Sequence, residues 1–198
     1  MDRLTDYPFD RARALLDVAQ PPEDLEPLAL SIGEPQHAPP PLIAETIAAN
    51  AHLWGKYPPA LGTPELRQAI SGWLTRRFNI PAQDFDDKVG IIPVAGTREA
   101  LYLVAPMSVP ETKNGERAAV LIPNPLYHVY SGGAIMAGAE PIFVSATHNT
   151  GFMPNFRELD DATLGRTALA YLCSPSNPQG AIADIDYLKD AIRLAREY

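Results

Sequence analysis

The second half of the chain alternates between short apolar runs and stretches whose apolar residues recur at helical spacing. The runs Ala118–Ile122, Pro141–Ser145 and Thr167–Cys173 are closed by turn residues and predict strands. Residues 127–137 and 184–198 predict the intervening and following helices. This alternation is typical of an α/β fold with parallel strands and right-handed crossovers. The continuous apolar run of Thr167–Cys173 further predicts a strand buried on both faces.

The first half predicts an arm followed by helices. A short helix is expected over Arg11–Val18, and the arm extends to about residue 40, where it packs on the rest of the chain or on a second subunit. A second helix is expected from the prolines at 39–41 to about His52. Thr63 is a good N-cap for a third helix over Pro64–Phe78. The sequence from Val89 to Val94 then predicts the first strand of the sheet, and a polar loop is expected over 111–117.

Composition excludes several functional classes. Of 198 residues, 46% are hydrophobic and 20% are charged, which is typical of a globular protein, and the net charge of −8 argues against a nucleic-acid surface. No apolar run reaches the ~20 residues of a membrane span, and the N-terminus lacks the apolar region of a signal peptide. The single cysteine, Cys173, is expected to be a buried, inert thiol of a cytoplasmic protein. The four histidines show no metal-ligand spacing.

The segment Gly96-Thr97-Arg98 offers a candidate anion site. It lies where the predicted strand ending at Val94 gives way to a helix, so free backbone N–H groups and the helix dipole favour a phosphate there. Gly96 lets a phosphate approach the backbone, Thr97 adds a hydroxyl and Arg98 adds a positive charge. The alternative interpretation is that Thr97 simply caps the helix. The dinucleotide-binding glycine motif and the P-loop motif are both absent from the sequence.

Two further loops follow predicted strands. Tyr127 offers an aromatic face, and Asn177 offers an amide between two prolines in the segment Ser176-Asn177-Pro178. The alternative for the second loop is a rigid turn that leads into the helix near Asp184. Ligands of open α/β sheets bind at the carboxyl ends of strands. A flat, phosphorylated ring that carries a hydroxyl group would use all three loops, and pyridoxal 5′-phosphate is such a ligand.

Several stretches, in order along nearly the whole chain, resemble the class I/II, fold-type I pyridoxal-phosphate aminotransferases. They are YPFDRARALL, LSIGEPQHAPP, YPPALGTPELRQAISGWLTRRF, GTREALY, PNPLYHVYSGGAIMAGAEPIFV and CSPSNPQGAI. Within the family the overall likeness is to the bacterial succinyldiaminopimelate aminotransferases. The resemblance implies an α/β large domain with a mostly parallel sheet and helices on both faces, preceded by an N-terminal arm.

The resemblance also implies a role for individual residues. Gly96, Thr97 and Arg98 match the segment that binds the cofactor phosphate. Tyr127 matches the aromatic residue that stacks on the pyridine ring, and Asn177 matches the amide that bonds the 3-hydroxyl of that ring. Gln179 stands where the commonest loop of the family has threonine.

Two matches fall in the first part of the chain. Gly33 matches an arm glycine near the substrate carboxylate. Tyr57 matches a tyrosine that reaches the phosphate of the neighbouring subunit, which implies a homodimer. The implied organisation is an arm and first helix over 1–53, followed by the first part of the cofactor-binding domain over 54–198.

The resemblance implies that the cofactor-binding lysine and the substrate-binding arginine lie beyond the position of Tyr198. No catalytic residue is therefore assigned here, the chain is expected to correspond to a truncated aminotransferase, and it is expected to be inactive alone. The implied reaction of the parent protein is transamination of N-succinyl-diaminopimelate with 2-oxoglutarate and glutamate in lysine biosynthesis. Two alternatives stay open: another amino-acid substrate, and a non-catalytic fragment or interaction module.

Overall fold

The computed structural model describes residues 6–26, 28, 30, 32–35, 37–85 and 90–198. They form two units, one comprising Met1–Val18 with Val94–Tyr198 and the other comprising Ala19–Pro93. This grouping does not follow the expected division at residues 53 and 54, which stays a prediction. The predicted N-terminal arm is therefore shared between the two units.

Three helices form among the described residues before residue 90. Helix α1 spans Pro8–Leu16, α2 spans Pro41–Ala49 and α3 spans Pro64–Phe78, so all three predicted helices are present. The Thr63 hydroxyl accepts a hydrogen bond from the Leu66 N–H at 3.2 Å, which confirms the predicted N-cap of α3. Short 3₁₀ turns occur at Ala51–Leu53 and Ala82–Phe85.

The predicted strand at 89–94 is wrong for its described part. Val89 lies outside the described residues, and residues 90–94 form no strand. A strand needs a neighbour for its N–H and C=O groups, and the described residues offer none beside this segment. Pro93 also lacks an N–H to donate. The parallel sheet therefore begins later than predicted, after helix α4 at Thr97–Ser108.

A small antiparallel hairpin replaces the expected polar loop. Strands β1, Thr112–Lys113, and β2, Glu116–Arg117, are joined by Asn114 and Gly115, both at positive φ. An Asn-Gly pair with positive φ at both positions is the favoured two-residue hairpin turn. The Arg117 guanidinium donates to the carbonyls of residues 138 and 139 at 2.7 Å each. These bonds hold the hairpin against residues 138 and 139.

The main sheet has three parallel strands. Strand β3, Ala119–Asn124, leads through α5, His128–Met136, to β4, Glu140–Ser145. A 3₁₀ turn at Phe156–Glu158 and helix α6, Asp161–Gly165, follow along the chain. Strand β5, Thr167–Ala170, and helix α7, Ile185–Glu197, complete the unit. The strand order β4-β3-β5 places the carboxyl ends of all three strands at one edge.

The strand that is buried on both faces is β3, whereas β5 had been predicted. Residues 119–123 of β3 are buried, because Val120 and Ile122 face α4 and α5 while Leu121 faces the side of α7. Strand β5 is shorter than predicted and only half-buried, because β3 is its one neighbour among the described strands. Cys173 is likewise half-buried instead of buried, and its thiol donates to the Pro175 carbonyl at 3.2 Å.

Helix α7 packs through only part of the predicted apolar stripe. Of the four residues expected to face inward, Leu188 and Ala191 are half-buried, whereas Ile192 and Ala195 are exposed. Leu194 is buried instead. Tyr187 lies about two helical turns before Leu194, and its hydroxyl donates to the Pro154 carbonyl at 2.8 Å. Asp184 caps the helix, because its carboxylate accepts from the Tyr187 N–H at 2.7 Å.

We expect stability to fall above about pH 10 in part through Tyr187. Burial raises the pKa of Tyr187 to about 12, whereas an unfolded tyrosine titrates near ~10. The unfolded chain therefore loses this proton first, so the contribution is intact below about pH 10 and is lost as pH rises to about 12. Urea unfolding between pH 8 and 12 should show a shallower decline for Tyr187→Phe. Tyr57→Phe, at a fully exposed position, should follow the wild type; an unchanged decline in Tyr187→Phe contradicts the prediction.

Candidate cofactor site

The N-terminus of α4 is the predicted phosphate-binding segment. Gly96 is the N-cap residue, Thr97 is the first helical residue, and no side chain caps the helix. The alternative that Thr97 caps the helix is therefore wrong. By contrast, α3, α6 and α7 each begin with a side-chain cap. The first N–H groups of α4 have no intrahelical partner and remain able to bind an anion.

Two charged side chains flank this helix terminus. The Arg98 guanidinium donates to Glu99 Oε1 at 3.3 Å, and both side chains are about half exposed or more. A Cβ atom built on Gly96 would meet Glu99 Oε2 at 2.5 Å, so the carboxylate lies directly beside the Gly96 backbone. A carboxylate is itself an anion attracted by a helix N-terminus. The donors at Gly96 therefore fit an anion, and Glu99 is the group with which a phosphate would compete.

We expect Glu99→Gln to strengthen phosphate binding. The change removes a negative charge at the helix terminus and releases Arg98 from its ion pair, and such charges contribute about 0.3–1 kcal/mol, or about two- to fivefold in affinity. Isothermal titration with pyridoxal phosphate and with inorganic phosphate at low salt measures the change. Glu65→Gln, also in the first turn of a helix but in the other unit, is the matched control. Weaker binding by Glu99→Gln would show that the carboxylate supports the site.

The second predicted loop ends at the N-terminus of α5. Tyr127 is the N-cap residue, again without a side-chain cap, and its side chain is 38% exposed. Its ring meets the Tyr130 ring edge-on with a centroid distance of 5.7 Å. Tyr130 is buried and stacks on Tyr171 at 4.2 Å, and the Tyr171 hydroxyl donates to the Leu101 carbonyl of α4 at 2.7 Å. These contacts join the starts of α4 and α5 to the end of β5.

Burial also changes the chemistry of this tyrosine pair. Desolvation, followed by the nearby Cys173 and Tyr127, raises the pKa of Tyr130, and desolvation raises the pKa of Tyr171. Both phenols therefore stay neutral at physiological pH and act as packing and hydrogen-bonding groups. Neither tyrosine was predicted as part of the site, although Tyr171 is the one aromatic residue in the apolar run Thr167–Cys173.

Hydrogen bonds within the third loop fix its backbone conformation, and Asn177 is exposed. The Ser176 hydroxyl accepts from the Ala181 N–H at 3.0 Å, and the Ser174 hydroxyl accepts from the Ala183 N–H at 3.0 Å. Gly180, at φ 73°, closes the turn and donates to the Ser176 carbonyl at 2.7 Å. The loop is therefore rigid without any contribution from the Asn177 side chain, whose amide is exposed and can bind a ligand.

A cleft of about 450 Å³ lies between α4 and α5. It is mostly apolar, and its lining includes Arg98, Tyr102 and His128. Of the predicted cofactor residues only Arg98 lines it, so the convergence of Gly96, Thr97, Tyr127 and Asn177 on one cavity stays a prediction. Gly33 and Tyr57 belong to the other unit, where Tyr57 is fully exposed and Gly33 faces open space.

The donor set suits pyridoxal phosphate better than a metal. An uncapped helix terminus, an exposed tyrosine ring and a free amide match the phosphate, ring and hydroxyl of that cofactor. In the part of the chain that the structure describes, no cluster of three or more histidine, cysteine, aspartate or glutamate side chains could hold a metal ion. No described helix is both long enough and apolar enough to cross a membrane.

The structure is an α/β fold with a parallel sheet, and comparison with known proteins shows its family. Residues 26–198 match the model of the class I and II aminotransferases, so the chain belongs to that family. The family uses pyridoxal phosphate. Its relatives include LL-diaminopimelate aminotransferase of Desulforudis audaxviator, 28% identical over 98% of this chain and 48% of the relative. Glutamate-pyruvate aminotransferase AlaC of Escherichia coli is 30% identical over 100% of this chain and 46% of the relative.

Solved structures agree with the family. An aminotransferase from Neisseria meningitidis superposes with a TM-score of 0.88 at 34% identity, covering 100% of this chain and 49% of that structure. Aminotransferase AspB from Helicobacter pylori gives a TM-score of 0.83 at 30% identity, with 98% of this chain and 49% of that structure covered. The expected fold-type I architecture is confirmed. The chain spans about half the length of the curated relatives it matches.

Proposed function

We propose that this chain supplies the phosphate, ring and hydroxyl contacts of a pyridoxal-phosphate site in a transaminating enzyme. The main support is the start of α4, where a glycine N-cap and uncapped N–H groups stand beside Arg98. The free N–H groups and the Thr97 hydroxyl would bind the phosphate, and Tyr127 would stack on the ring. The Asn177 amide would donate a hydrogen bond to the 3-hydroxyl oxygen of the pyridine ring and so orient that ring.

When bound, the cofactor supplies a carbonyl group and a ring that withdraws electrons from the α-carbon of an amino acid. The residues of this chain bind and orient that ring, and none of them is assigned to move a proton at the α-carbon. The lysine for covalent attachment is implied by the resemblance to lie outside these 198 residues, and this stays a prediction. Of the lysines present, Lys113 is engaged with the Thr167 carbonyl at 2.6 Å, at the amino end of β5.

The proposed substrate class is a diaminopimelate-type amino acid, with glutamate and 2-oxoglutarate as the second pair. The names of several relatives, which are LL-diaminopimelate aminotransferases, support this class. The resemblance favours the N-succinylated substrate and a place in lysine biosynthesis. The glutamate-pyruvate relative makes alanine the alternative. The test measures amino-group transfer to 2-oxoglutarate by the protein as its own cells produce it. The donors are diaminopimelate, N-succinyl-diaminopimelate and alanine, and the preferred donor separates the three choices.

Gly33 and Tyr57 complete the proposal. Gly33 would lie near the substrate carboxylate, and Tyr57 would reach the phosphate of the neighbouring subunit in a homodimer. The Tyr57 ring is fully exposed and therefore accessible to a second subunit. We further propose a cytoplasmic protein, because its one cysteine is a free thiol.

The cofactor contacts are tested by titrating the chain with pyridoxal phosphate and with pyridoxal. We expect pyridoxal, which lacks the phosphate, to bind at least about tenfold more weakly, since charge-assisted hydrogen bonds contribute about 1.5–3 kcal/mol. Asn177→Ala should weaken pyridoxal phosphate about two- to tenfold. Gln179→Ala, in the same loop, should not. Equal affinity for the two ligands, with no effect of Asn177→Ala, would refute the proposed site.

A further inference from the structure

The N-terminal segment contacts the start of α5 through aromatic rings. Tyr7 precedes α1, and its ring meets the His128 ring at 5.3 Å with an interplanar angle of 84°. The Phe9 ring also contacts the Tyr7 ring, with a centroid distance of 5.3 Å. Helix α1 itself has no buried residue, and Leu15 and Leu16 are more than half exposed. Rings, and not a buried helix face, therefore attach this segment to the start of α5.

The same rings continue to the proposed cofactor contact. His128 meets Tyr127 at 4.9 Å and 75°, so its imidazole lies in edge contact with two tyrosine rings. Tyr127 in turn contacts both His128 and the buried Tyr130. Its ring therefore touches one residue of the core and one residue that also contacts Tyr7. Edge-to-face pairs of this kind are favourable beyond the area that they bury.

We propose that Tyr7 is a positioning residue, which fixes His128 and through it the ring of Tyr127. The inference depends on the proposed function, in which Tyr127 stacks on the cofactor ring. A half-exposed tyrosine otherwise samples several side-chain conformations, and ordering it on binding costs affinity. Contact with His128 orders the ring beforehand. The N-terminal segment thereby contributes to cofactor affinity without contacting the cofactor.

Cofactor titration of single and double variants tests this coupling. We expect Tyr7→Ala to weaken pyridoxal phosphate binding about three- to tenfold, and Tyr7→Phe, which keeps the ring, to bind as the wild type does. When Tyr127 is already replaced in Tyr127→Ala, adding Tyr7→Ala should have no further effect. A general structural defect would instead give additive losses.

A second measurement does not involve the cofactor. The rate at which diethyl pyrocarbonate modifies each histidine, read by mass spectrometry at low protein concentration, reports how well each imidazole is covered. Tyr7→Ala should speed modification of His128 about threefold or more and leave His148 unchanged. Phe152 covers His148 in a similar edge contact at 5.9 Å, so Phe152→Ala should do the reverse.

The two measurements separate the inference from the function. Faster modification of His128 together with weaker, non-additive cofactor binding supports the inference. If the wild type binds no pyridoxal phosphate while His128 still responds, the proposed cofactor site fails and the ring contact stands. Unchanged reactivity of His128 in Tyr7→Ala, or additive losses in the double variant, overturns the inference whatever the wild-type affinity.

Discussion

Gly133→Ala should destabilise the protein by about 1–3 kcal/mol, because the space that a methyl group needs is already filled by backbone. A Cβ atom on Gly133 would lie 2.8 Å from the Tyr102 carbonyl oxygen and 3.3 Å from Ala105 Cβ. Pro106 explains why that carbonyl is there: it lacks the N–H that would bond the Tyr102 oxygen within α4. The freed carbonyl of α4 faces α5 at Gly133, where a side chain would collide with it.

The neighbouring glycine provides the control. A Cβ atom on Gly132 has only an ordinary contact, with Tyr102 at 3.9 Å, so Gly132→Ala should stabilise the helix by about 0.5–1 kcal/mol. Urea unfolding at low micromolar protein concentration measures both variants. Because α4 and α5 carry Gly96 and Tyr127, Gly133→Ala should also weaken pyridoxal phosphate. Equal stabilities of the two variants would show that the helices can separate without cost.

Ile122→Ala should have a larger effect, a loss of about 2–5 kcal/mol of unfolding free energy. Ile122 is fully buried in the central strand β3 and belongs to the same apolar cluster as Ala105, Tyr130 and Tyr171. Removing its methyl groups leaves a cavity in this cluster, and surrounding structure relaxes only partly around such a cavity. A domain's whole stability is about 5–15 kcal/mol, so the loss removes a large share of it.

The exposed Ile182 is the matched control for this cavity. Its side chain is 75% exposed, and Ile182→Ala should change the unfolding free energy by less than about 0.5 kcal/mol. Both variants are compared by urea unfolding. The slope of the unfolding free energy against urea concentration should be the same for both. A loss in Ile122→Ala no larger than that in Ile182→Ala would mean that this part of the core repacks freely.

The candidate site was predictable to the extent that it depends on local chemistry. Gly96, Tyr127 and Asn177 each follow a strand pattern or precede a helix pattern, and family likeness gave each a role. Glu99 could not be found in this way, because its significance is the position of its carboxylate beside Gly96, three residues earlier. His128 was likewise invisible, since ring contacts from Tyr7 define it across more than a hundred residues of sequence.

The sequence by itself determined the helices, the three parallel strands, the cap at Thr63 and the family, because these depend on periodicity, on short-range chemistry and on recognisable motifs. The Asn-Gly pair of the β1–β2 hairpin is also a hairpin signal in the sequence, although a polar loop was predicted there. Only the tertiary structure decided which strand is central. An apolar run shows that a strand can be buried, but burial on both faces requires neighbours on both sides and helices above and below. Strand β3 has those neighbours, whereas β5 lies at an edge of the described sheet and residues 90–94 have no partner strand among the described residues.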